Sequence, residues 1–164
     1  MMPENPIRDM MQRTMANLKF VESHATQEGP FEVTQLVNSF LAALAHPWEK
    51  YKQQLNEIPL QEAFNDGWPM LTKELMADID PRSLGDQLRL VRHAFAHGNI
   101  EFKSSGGNEI THLRICNINP GDRKRTWGTI VSVDDMHAFL EKFVKLATEL
   151  TEKEIKNIAN GVSA

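Results

Sequence analysis

Four side chains able to handle protons or anions, Arg89, Arg92, His93 and His97, fall within nine consecutive residues. An imidazole titrates near pH 6.5 and can give or take a proton at neutrality. A guanidinium presents a planar fork of donors that matches the oxygens of a phosphate. The run from Leu84 to His97 reads as one helix. At about 100° per residue, Leu84, Leu88, Val91 and Phe95 lie within about 60° of one another. Arg92, Ala96, Arg89, His93 and His97 spread over about 140° of the other side. One face is therefore core and the other a cationic strip in which a small alanine leaves room. Its only carboxylate is Asp86, at the N-terminal end, where it complements the helix dipole. An anionic guest fits this strip.

Other chemistries find less support. His93 and His97 stand four residues apart on one helical face, as zinc ligands often do. No HExxH glutamate accompanies them, and His112, Cys116 and His137 would have to be brought in by the fold, so no metal or other cofactor is expected. His24, His46, His112 and His137 read as surface or helix-end residues. Cys116 lies in a strand-like stretch and reads as a buried structural thiol. There is no G-x-S-x-G, P-loop or G-x-G-x-x-G; Ser105-Gly106-Gly107 is a turn that does not precede a helix. Asp134 and Asp135 are accounted for by a helix N-terminus. Trp48, Trp68 and Trp127 read as packing residues, with Trp127 also able to stack on a base because it follows the basic cluster Arg123-Lys124-Arg125.

Amphipathic helices surround the strip. The first is expected from about Pro6 to His24, with Ile7, Met11, Met15, Leu18 and Val21 at helical spacing. Gln27-Glu28-Gly29-Pro30 breaks it. A densely apolar second helix starts near Thr34 and carries Leu36, Val37, Phe40, Leu41 and Leu44. His46-Pro47 should end or kink it, because proline lacks a donor and disfavours helix at the preceding residue; Trp48 to Leu55 should add a further turn or two. Segments 61–66 and 68–78 look like short helices separated by Gly67. Ser83 and Asp86 form a capping-box variant, and Gly98 is a C-terminal stop. From Asn99 to Val131 the pattern becomes β-like. Ile100 to Phe102, Ile110 to Ile118 and Trp127 to Val131 are expected as a three-stranded antiparallel meander, turning at 104–108 and 119–122. Its Phe102, Leu113 and Ile115 should pack on the helices, since so short a segment cannot bury a core of its own. The last helix starts at Ser132 to Asp135 and runs to about Ile158, with Met136, Phe139, Phe143, Leu146 and Leu150 as its stripe; a tail follows from Gly161.

Composition limits the possibilities further. The 164 residues suit one domain, 1–164, and 41% hydrophobic residues are enough for a core. A net charge of −4 argues against sequence-blind coating of nucleic acid but leaves room for a local cationic cleft. Cys116 is the only cysteine, which rules out an intrachain disulfide and fits a reducing compartment. The polar stretch Met1 to Asp9 is not a signal peptide, and no apolar run is long enough to span a bilayer. A cytoplasmic protein with no membrane partner is expected.

The order Arg92, polar His93, then His97 resembles the signature of the HEPN superfamily (higher eukaryotes and prokaryotes nucleotide-binding domains). That signature is an Arg, a polar residue directly after it, and a His four to six residues beyond the Arg; Gly98-Asn99 follows here, as is common in the family. The layout is most similar to the stand-alone, plasmid-borne HEPN branch with a small β insertion after the motif helix. The resemblance covers roughly Pro30 to the end of the last helix. It implies a mainly α fold, a HEPN-type helical bundle with an antiparallel β-meander insertion at 99–131. It further implies metal-independent RNA cleavage by a homodimer that brings two Arg/His motifs into one cleft. Arg92 would then clamp phosphate, His97 transfer protons and His93 orient or assist. Arg89, Asn99, Arg123, Lys124 and Arg125 are the expected RNA-binding residues. A toxin or defence role, with an antitoxin protein as a further partner, goes with that reading. The alternative is a catalytically silent HEPN module that binds RNA or nucleotide.

Overall fold

The structure, a computed structural model, describes residues 5–26, 28–107 and 109–160. The expectations that touch Met1 to Glu4, Gln27, Asn108 and the tail from Gly161 lie outside them. Helix α1 spans Pro6–Ser23, capped by Asn5, whose Oδ1 accepts the Arg8 N–H at 3.0 Å. Proline suits the first helical position, where a missing N–H costs no bond. Met11 and Leu18 bury its apolar stripe.

Helix α2 runs over Glu32–Asn56 with Pro47 inside it, so the helix does not end at His46-Pro47 and its continuation through Trp48 to Leu55 is as expected. An internal proline costs about 3 kcal/mol in a helix. Here Pro47 continues a buried stripe of Phe40, Leu44, Tyr51 and Leu55, and packing on both sides of it holds the helix together. The consequence is that Trp48 and Glu49 ride on the same rigid rod as the core.

Helix α3 is Leu60–Asn65, but the expected helix over 68–78 is absent. That segment is an irregular strap along the outer edge of the sheet. Apart from one turn bond, from Asp78 N–H to the Leu75 carbonyl at 3.0 Å, its backbone groups bond to strand β3 (Arg125–Ser132): Glu74 N–H donates to the Gly128 carbonyl at 2.8 Å and the adjoining Ile79 N–H to that of Thr126 at 3.0 Å. The Thr129 hydroxyl adds a bond to the Thr72 carbonyl at 2.7 Å. Once those partners are available, helical spacing alone does not decide the conformation.

Helix α4, Leu84–Ala96, carries the cationic strip. Ser83 Oγ accepts the Asp86 N–H at 3.1 Å, while Asp86 Oδ2 accepts the Arg82 N–H at 3.1 Å. Gly85 lets this end of α4 lie against α2, since a Cβ there would come within 2.8 Å of the Asn56 backbone nitrogen. At the other end Gly98 takes φ +66, and Asn99 and Gly98 donate back to Ala94 and Phe95 at 2.9 and 3.1 Å in a Schellman closure.

Strands β1 (Ile100–Lys103), β2 (His112–Ile118) and β3 form an antiparallel meander in the order β1-β2-β3. Leu113, Ile115, Trp127 and Val131 point from it into the same core as the helices. Trp127 is fully buried, so it packs and does not stack on a base. Phe102 stands opposite Leu113 in register and yet remains half-exposed, because it lies on the edge strand beyond the helical layer. Cys116 is half-buried, less enclosed than expected. Helix α5, Val133–Ala159, closes the bundle, with Met136, Phe139 and Phe143 buried. Phe139 stacks on Phe40 at 5.9 Å between ring centres, and Phe95 meets Phe40 edge-on at 5.2 Å. This mainly helical bundle with its inserted sheet is the expected fold class. Among the described residues no helix is long and apolar enough to cross a membrane.

Candidate functional site

Burial of Leu84, Leu88, Val91 and Phe95 turns the opposite side of α4 outward, so Arg89, His93 and His97 are exposed. His97 is the residue that caps the helix C-terminus, held there by the Gly98 turn. The rings of His93 and His97 stand edge to face, 5.6 Å apart. Burial, the neighbouring His97 and the cationic Arg92 and Arg89 together push the His93 pKa below the usual histidine value. His93 is therefore a neutral imidazole at physiological pH, able to donate through one nitrogen and accept through the other.

Arg92 lies on the flank of the strip nearest α2. Its guanidinium sits over the Trp48 ring, 4.9 Å from the centroid, and pairs with Glu49 at 3.2 Å. From the sequence, Trp48 has only a packing role and Glu49 none, because the expected end or kink at His46-Pro47 left the placement of the next turns relative to the strip open. The only available signal was the apolar spacing of Pro47, Tyr51 and Leu55, which continues through the proline. The cation–π contact holds the guanidinium against the Trp48 ring, and Glu49 balances its charge at a side chain that is 52% exposed. Such an exposed pair is worth only about 0–1 kcal/mol, so a phosphate can displace the carboxylate.

The other expected RNA contacts fall into two groups. Arg123 and Lys124 are exposed in the β2–β3 turn, across from Asn119: the Asn119 N–H donates to the Lys124 carbonyl at 2.8 Å and the Arg123 N–H to that of Asn119 at 2.9 Å. Asn99 is half-buried, its backbone engaged by Ala94 and Cys116. Arg125 behaves differently. It turns inward onto the strap, with Nη1 2.7 Å from Glu74 Oε2 and Nη2 2.7 Å from Asp78 Oδ2. Its guanidinium donors are taken up by these two protein carboxylates. Arg114 joins through a two-pronged contact with Glu74, Nε lying 3.0 Å from each oxygen. The Arg114 hydrogen bonds hold the Glu74 pKa below the usual carboxylate range. Burial alone would raise that of Asp78, but Arg125 and the Leu75 N–H outweigh it and lower it.

Between α4 and the β2–β3 hairpin lies a groove of about 280 Å³, with Arg89 and His93 on one wall and Ile118 and Pro120 on the other. The buried Asn117 fixes that wall by donating to the Leu90 carbonyl at 2.6 Å. Among the described residues no three His, Cys, Asp or Glu side chains are grouped as a metal ion would need.

No curated protein and no solved structure matches the chain. A family model described as HEPN pEK499 p136 matches residues 1–154, which takes in every helix but the last turns of α5 together with the Arg92, His93 and His97 motif. The match runs through α1, which lies outside the stretch on which the motif resemblance rested. The chain belongs to this HEPN family.

Proposed function

We propose that the chain is a metal-independent endoribonuclease whose active site forms where two copies set their α4 strips face to face. Family membership supports an RNA-related role. The observation that carries the finer reading is the placement of His97 at the exposed C-terminal cap of α4, beside a neutral His93 and on the same helix as a stacked, pre-oriented Arg92. One chain supplies one His97, whereas transesterification needs two proton carriers. In the paired site, one His97 takes the proton of the 2′-hydroxyl as that oxygen attacks phosphorus. The other His97 protonates the 5′-oxygen as its bond to phosphorus breaks. Arg92 leaves Glu49 for the non-bridging oxygens, where negative charge accumulates. His93 holds the phosphate or the 2′-hydroxyl in line through a neutral hydrogen bond. Arg89, Arg123 and Lys124 hold the flanking backbone. The products are a 2′,3′-cyclic phosphate and a 5′-hydroxyl, and no water is consumed in this step.

The Arg92–Glu49 pair is the one feature that favours the other reading, a module that binds RNA or nucleotide without cutting it. Incubation of the purified chain with total RNA in EDTA separates the two. Cyclic-phosphate ends and intact DNA are expected; cleavage that stops in EDTA makes His93 and His97 metal ligands and overturns the mechanism. The pairing has its own test, because an isologous contact uses the same patch on both copies. Light scattering should give a dimer at micromolar concentration, and a stable monomer defeats the composite site. A cytoplasmic toxin or defence effector restrained by an antitoxin protein is the setting proposed for this activity.

A further inference from the structure

The groove beside the motif has a lining unlike that of a phosphate site. Ile79, 44% exposed, and Ile118, 38% exposed, border it together with Pro120 and the Leu90 turn of α4. Cationic character enters only at the α4 wall, from Arg89 next to the neutral His93, and none of the lining residues is a carboxylate. Asn119 lies at the turn, its Oδ1 accepting the Gly121 N–H at 2.9 Å, which leaves its amide NH2 to donate. At about 280 Å³ the space lies just below the roughly 300–1,000 Å³ range of sites for drug-sized ligands and suits one flat ring system. Apolar walls, an amide donor and a guanidinium at the rim together match an unpaired base, which has two faces to cover and acceptors on its edge.

The walls are also fixed in place. Ile79 is held by its N–H bond to Thr126. Asn117 ties β2 to the middle of α4, so the groove and the histidines move as one body. The exposed Lys124 and Arg123 are tied to the groove residue Asn119 across the turn.

We infer that this groove takes the unpaired nucleobase next to the phosphate held by the α4 strip, and that Ile79, Ile118 and Asn119 set the nucleotide preference of the site. The inference rests on the reading of α4 as the RNA-facing helix, and its test is independent of cutting. Amide NMR shifts of the full-length chain are followed with 2′-O-methyl hexauridylate and hexaadenylate, which cannot be cleaved, and with inorganic polyphosphate. The oligonucleotides should move Ile79, Ile118 and Asn119, and to different extents. Polyphosphate should move Arg89, His97, Arg123 and Lys124 and leave Ile79 and Ile118 still. Ile118→Trp, a surface substitution that fills the groove, should weaken oligonucleotide binding about fivefold to tenfold, the loss that goes with one base deprived of its platform. Polyphosphate affinity should stay unchanged. Groove shifts without any RNA cleavage would keep this inference and sink the nuclease reading. Cleavage by a chain whose groove residues ignore both oligonucleotides would do the reverse. Binding of neither oligonucleotide, or equal weakening of polyphosphate by Ile118→Trp, overturns the groove assignment.

Discussion

His97→Ala is expected to lower RNA cleavage by at least about 10²–10⁴-fold, the usual contribution of a positioned acid or base. The loss should fall at the top of that range, because a paired site uses the same residue as base on one side and acid on the other. Arg92→Ala removes the cation aimed at the non-bridging oxygens and should cost about 2–4 kcal/mol of transition-state energy, by analogy with deleting one oxyanion donor. His93→Ala should be milder, since a neutral ring orients without carrying charge. His93 and His97 are exposed, and Arg92 gives up only a surface pair and a cation–π contact, together about 1 kcal/mol. All three variants should therefore stay folded. Single-turnover cleavage of a short fluorescent RNA, read beside thermal melting, tests the set. Undiminished cleavage by His97→Ala would remove that residue from the chemistry.

The largest stability effect near the site is expected at Arg125. Its side chain is 20% exposed and that of Asp78 only 3%, so Arg125→Ala strands a nearly enclosed carboxylate with little beyond the Leu75 N–H to satisfy it. Removing one partner of a buried pair costs about 3–5 kcal/mol, and partial exposure of the guanidinium reduces this to about 2–4 kcal/mol. For a chain of this size that is a fall of about 5–15 °C in melting temperature. The pH dependence has a definite sign. Glu74 and Asp78 have depressed folded pKa values, so their contribution is complete above the usual carboxylate range and fades as pH falls through the depressed values. The gap between wild type and variant should therefore close in acid. Arg123→Ala and Lys124→Ala should show the opposite pattern: an unchanged melting temperature, weaker RNA binding, and a salt slope reduced by about one counterion each. An Arg125 variant that melts like the wild type and loses only RNA affinity would return Arg125 to the interface.

The contrast between Arg125 and its two neighbours shows where the sequence stops being informative. Three consecutive basic residues look alike in one dimension. Strand alternation and the acidic residues of the strap, roughly fifty positions away, decide which of them is spent internally. The motif helix was legible because its signals are local: apolar spacing, the Ser83 cap, the Gly98 stop and the cationic strip all lie within sixteen residues. The meander was legible from its β-branched runs and turn residues. The strap was not, since its bonds go to Gly128 and Thr126. Nor was the company kept by Arg92, because a proline rule that holds on average gives way to core packing at Pro47. Phe102 shows a third limit, as alternation gives the face of a strand but not how far the helices beneath it extend.

The strap has one more consequence. It occupies the outer edge of β3, and among the described residues β1 pairs only with β2, on its inner side. A sheet with two open margins can recruit strands without end, which is how fibres grow. One with a single open margin can join a like margin once, after which no strand is left to extend. The stretch that the sequence suggested was a helix thus acts as a stopper, leaving the sheet a short four-residue lip that carries Glu101 and Lys103 and restricting self-association through strands to a closed pair.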